Sequence, residues 1–138
     1  MLPMLALLLA FDLASARNEP NVEKRSDLAI KNADLAVTAA REAAQKGDDV
    51  ALHAALDEVR GSVDLAVESL GQSTTNPRKS RFYKKAELAV GQILRRLDGL
   101  LQSAGAFEQD VIKPAREYIS EQHDKLIGDI MGKGKTKK

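Results

Sequence analysis

Between residues 52 and 70 the apolar positions Leu52, Leu56, Val59, Val63, Ala66 and Leu70 follow one another at alternating steps of four and three. That spacing matches the 3.6-residue turn of an α-helix with one buried face, and it conflicts with the two-residue alternation of a half-buried strand. The rhythm recurs on both sides. Ala29, Ala33, Ala36, Ala40 and Ala43 form an alanine stripe, Phe82, Ala86, Ile93, Leu97, Leu100 and Ala104 a third line, and Ile112, Ala115, Ile119, Leu126 and Ile130 a fourth. Stripes of alanine let a neighbouring helix approach at the close end of the ~8–10 Å range.

Helix breakers separate these lines into four segments of about 21–46, 49–70, 77–104 and 107–131: Gly47-Asp48, the run GQSTTNP at 71–77, and Gly105. Gly47 can adopt the left-handed conformation that closes a helix, and Asp48 can cap the amides that open the next. Asn76 and Pro77 suggest the same device, a cap followed by a proline at the first helical position, where its missing N–H is harmless. Pro114 falls inside the last segment and predicts a helix start or a bend there. Connections this short make each helix antiparallel to the one before. The expected fold is therefore all-α, an antiparallel up-down-up-down four-helix bundle over residues 17–131, followed by a flexible basic tail, GKGKTKK, at 132–138. A chain of 138 residues has length for one domain with one modest core.

The first sixteen residues, MLPMLALLLAFDLASA, read as a cleavable signal peptide, with an apolar stretch from Met4 to Phe11 and an Ala-x-Ala ending at Ala14-Ser15-Ala16. Cleavage there leaves Arg17 as the new N-terminus. The apolar stretch is about half the ~20 residues a membrane span requires, and Asp12 interrupts it. No Lys or Arg precedes it, so either the amino terminus supplies the positive charge or translation starts upstream. A core helix of a cytoplasmic protein is the competing reading. The expected location is periplasmic or secreted.

Chemistry-bearing residues are few. Without cysteine there is no disulfide, no thiolate-bound zinc, no iron–sulfur cluster and no thiol nucleophile. Asp49, His53 and Asp57 share one helical face, where a solvated charged stripe is expected rather than a cation site. His123 falls at the edge of the fourth apolar line, as a boundary histidine with a hydrogen-bond partner. Gln122 falls inside that line and is expected to fix helix register. The segment GQILRRLDGLL at 91–101 resembles a helix of cytochrome b562, which implies a haem-carrying bundle. Against that stand the absence of CxxCH, the lack of Glu-x-x-His pairs (Ser120 precedes His123), and Met131 as the lone methionine after residue 16, with no histidine placed opposite it. Serine-nucleophile motifs, glycine-rich phosphate loops and aspartate-rich calcium loops are missing too. The expectation is a non-enzymatic protein of the cell envelope with a binding or structural role, no catalytic residues, no metal site and no cofactor. A metal- or haem-carrying bundle, or an enzyme with an unrecognised site, is the alternative.

Charge is distributed unevenly. Residues 17–76 carry 7 basic and 11 acidic side chains, whereas residues 77–138 carry 14 basic and 8 acidic. One account is that the acidic second segment lies beside the basic third and the two fields cancel. Five cations crowd RKSRFYKK at 78–85, where a helix start disfavours positive charge. Open amides there, together with Arg78, Lys79 and Arg81, suggest an anion site. Arg81, Lys84, Lys85, Gln92, Arg95 and Arg96 continue as an outward stripe ~22 Å long. The partner this predicts is an anionic polymer or membrane surface; the export signal disfavours nucleic acid.

A tetrapeptide repeats as DLAI at 27–30, DLAV at 34–37 and 64–67, and ELAV at 87–90. Helical phase turns its alanine and Ile or Val toward the core. It turns Leu28, Leu35, Leu65 and Leu88 roughly 130–165° away from the core centre. These leucines are therefore the expected surface for a protein partner or a homodimer, with Leu28, Leu35 and Ala39 in a second apolar line on the first segment.

Overall fold

The computed structural model of the protein describes residues 13–132, so most of the expected leader and the tail from 133 onward lie outside the described residues. Those described form an all-α structure with no strand: α1 (Leu13–Arg17), α2 (Val22–Lys46), α3 (Asp49–Gly71), α4 (Arg81–Ser103) and α5 (Ala106–Ile130). None of these helices is long and apolar enough to cross a membrane.

The α2–α3 turn forms for the reasons its residues suggest. Gly47 takes φ 71° in the left-handed region, and the amide of Asp48 closes back on the Ala43 carbonyl at 2.9 Å. Asp48 then accepts from the Ala51 amide at 3.1 Å and opens α3. The cross-helix bonds pair early residues of α2 with late residues of α3, Arg25 with Ser69 and Asn32 with Ser62, so the two run antiparallel. Glu87–His123 and Asp98–Arg116 do the same for α4 and α5. Asp27–Lys85 and Asp34–Arg96 advance together, so α2 and α4 lie side by side and parallel. α3 packs mainly on α2 and α5, and meets α4 less extensively. At their linked ends, Tyr83 Oη donates to the Leu70 carbonyl at 3.1 Å.

One start differs from expectation. α4 begins at Arg81 rather than Pro77, because Asn76 caps a separate turn, accepting from the Arg78 amide at 3.0 Å. Extended Ser80 then ends that turn and its hydroxyl takes the amides of Phe82 and Tyr83, both at 3.2 Å. Pro114 lies within α5 and does not start it. The Gln109 side chain donates to the carbonyls of Leu101 and Ala104, both at 3.1 Å, tying the new helix to the old one ahead of the proline.

All six apolar positions of the 52–70 line and all five alanines of the 29–43 stripe are buried. In the third line the fully buried aromatic is Tyr83, with Phe82 half-buried. The buried amide among the helices is Asn32 on α2, donating to Ser62 Oγ at 2.9 Å and to Glu58 at 2.8 Å. Gln122 is half-buried, so the register role expected of it suits Asn32 better. α1 packs on α2 and α3; its Ala16 is 2% exposed, and Leu13 Cδ2 lies 3.3 Å from where a side chain on Gly61 would begin.

Candidate functional site

The four repeats show which residues act across helices. Ala29, Ile30, Ala36, Val37, Ala66, Val67 and Val90 are buried, and Ala89 is half-buried. The acid of each copy reaches a different neighbour. Asp27 Oδ1 meets Lys85 Nζ at 2.6 Å, Asp34 meets Arg96 at 2.6 Å, Asp64 accepts from the Tyr118 hydroxyl, and Glu87 lies 3.1 Å from His123 Nε2. Asp27 Oδ1 is shielded from solvent, and the Lys85 ammonium is the charge that meets it.

The leucines of the repeats do not form one surface. Leu35 and Leu88 are exposed, at 51% and 56%, and Leu28 is half-buried against the core. Leu65 is a core residue at 6% exposure, contrary to expectation. In helical phase it falls beside Glu58 and Ser69, whose side chains bond Asn32 and Arg25, so it lies on the flank of α3 that α2 covers, beyond the arc marked by the 52–70 line.

The basic residues sort into three groups. Arg78 and Lys79 stand in the turn before α4, and Arg78 lines a cavity of about 340 Å³ together with Ser73, Thr75 and Asp129. The amides expected to be open at this end are not: those of Phe82 and Tyr83 are held by Ser80. Lys85 and Arg96 are taken up by α2, Arg96 also donating to Thr38 Oγ1 at 2.6 Å. The acids that meet the basic helix thus come from the first long helix, not the second. Arg81, Lys84 and Arg95 remain exposed on the outward side of α4, with no ion pair among the described residues. The Arg81 guanidinium lies 5.2 Å over the Phe82 ring. Leu88 stands in the middle of this line, seven residues from Arg81 and seven from Arg95.

Elsewhere, Arg116 holds Asp98 through Nε at 2.8 Å, and that hydrogen bond raises its already high pKa. Arg60 lies 4.7 Å over the Tyr118 ring. The hydrogen bond to Asp64 raises the Tyr118 pKa, and burial raises that of Tyr83, with Asp129 adding to it. No group of three or more His, Asp or Glu side chains is placed to hold a metal among the described residues. Asp49, His53 and Asp57 share a face without forming such a group.

The chain matches no protein-family model, no curated protein and no solved structure.

Proposed function

We propose that this protein is an exported, non-enzymatic binding protein of the cell envelope, periplasmic or secreted, and that its working surface is the outward face of α4. On this reading α2 to α5 form an antiparallel up-down-up-down four-helix bundle, and residues 1–16 are a cleavable signal peptide. The run of apolar residues before Ala14-Ser15-Ala16 supports export. The antiparallel pairs α2–α3 and α4–α5, with α2 parallel to α4, support the bundle. Cleavage after Ala16 would remove Leu13 from its place beside Gly61 of α3, together with the buried Ala16.

One observation carries the binding surface: Arg81, Lys84, Leu88, Gln92 and Arg95 are all exposed on one side of α4, with the three cations unpaired among the described residues. Positive charge near a helix start is unfavourable, and among the described residues no acid pairs with Arg81 or Lys84 there. An anionic polymer or a bilayer rich in acidic lipid would neutralise it, with counterion release adding to affinity at low salt. The test is elution from heparin resin, alongside co-sedimentation with phosphatidylglycerol vesicles, for the wild type and for Lys84→Gln/Arg95→Gln. The variant should elute at lower salt and sediment less. Identical behaviour of the two proteins on both supports would sink the reading.

A further inference from the structure

A second feature of the same helix is independent of that outward face. Near their C-terminal ends α2 and α4 line a trough of about 440 Å³, with Ala104 and Gly105 of the α4–α5 turn also in its wall. We propose that this trough is a binding site for a small anionic amphiphile, an organic anion with a single carboxylate or sulfonate head and an apolar body.

The volume lies within the range of sites that enclose small molecules. Its apolar wall comes from Val37 and Leu100, both core residues, with Ala44 and Ala104. Two guanidinium groups line it as well, and they differ in what they have left to offer. Arg96 is held by Asp34 and Thr38, both at 2.6 Å, so its charge is already balanced. Arg41 is exposed and makes no ion pair among the described residues, which makes it the partner for an incoming head group. Glu108 lines the turn end, its Oε1 2.9 Å from where a side chain on Gly105 would begin. That carboxylate repels a second negative charge, so a monoanion with its head toward Arg41 fits and inorganic phosphate does not.

Gly99 lines the trough from inside α4, and a Cβ built on it meets no atom within 4 Å. Glycine is a poor helix former, so a larger residue there fills the trough while favouring the helix. That gives a variant whose effect on binding is separable from damage to the fold.

The test uses the fluorescent anion 8-anilinonaphthalene-1-sulfonate and its neutral analogue N-phenyl-1-naphthylamine, with decanoate as competitor. The wild type should bind the sulfonate saturably at one site and release it to decanoate. Gly99→Leu should keep or raise the Tm and abolish saturable binding of both dyes. Arg41→Gln should weaken the sulfonate about tenfold while leaving the neutral dye within about twofold. The proposal is overturned if the wild type shows no saturable site, if Gly99→Leu binds as the wild type does, or if Arg41→Gln affects the two dyes equally.

Discussion

α2 meets α3 and α4 by different means. Toward α3 its polar atoms are buried and matched: Asn32, 3% exposed, bonds Ser62, which is fully buried, and Arg25 Nε donates to the buried Ser69 hydroxyl at 2.8 Å. Small side chains dominate this contact and leave it closed. Toward α4 the polar contacts run through charged side chains, Asp27 with Lys85 and Arg96 with Asp34 and Thr38, the Asp34 carboxylate being 68% exposed, and the trough lies beyond them. Close approach of small residues thus excludes solvent along the whole contact, whereas charged clips hold a pair of helices together without filling the space between them.

Substitutions can break that comparison in descending order of effect. Leu56→Ala removes a side chain that is 3% exposed, and unfolding in urea should show a loss of about 2–5 kcal/mol. Asn32→Ala strands the Ser62 hydroxyl and one Glu58 contact inside the α2–α3 seam and should cost about 1–3 kcal/mol, insensitive to salt. Asp34→Asn weakens an α2–α4 clip and should cost only about 0.2–1 kcal/mol, vanishing in high salt. Equal losses for Asn32→Ala and Asp34→Asn, or equal salt dependence, would mean that the two contacts do not differ in kind.

The fourth effect is absent at neutral pH. Tyr83 and Tyr118 both have pKa values raised above 10.0, so each contributes stability that is complete below pH 10 and is lost as pH rises through the folded-state value. The Tm should therefore fall above about pH 10, and less steeply in a Tyr83→Phe/Tyr118→Phe variant. Parallel alkaline profiles for the two proteins would contradict this.

Helix identity and most of the core were legible because the period was: every position of the 52–70 line and of the alanine stripe is buried. Phase alone correctly turned Leu35 and Leu88 outward. It failed at Leu65, which shares the α2-facing flank of α3 with Ser62 and Ser69, because the 52–70 line marks only the centre of a buried arc that the α2–α3 contact widens. The start of α4 was misplaced because Asn76-Pro77 is as good a cap as Ser80, and nothing local ranks them. Of the basic residues, sequence identified the crowding but not which were already paired. Lys85 and Arg96 find Asp27 and Asp34 across separations of about sixty residues, which composition does not encode. The trough was equally invisible, being a space between helices and not a pattern within one.

The Gly47–Asp48 turn also bears on the order in which contacts can form. Contacts between α2 and α3 begin beside that turn and extend to Asn32–Ser62, 30 residues apart, and Arg25–Ser69, 44 apart, so the pair can zip outward with little loop-closure entropy at each step. The Asp34–Arg96 clip closes a separation of 62 residues at once and has α2 as its platform. An early α2–α3 hairpin is therefore expected, and stopped-flow kinetics should show Asn32→Ala slowing folding and Asp34→Asn mainly speeding unfolding.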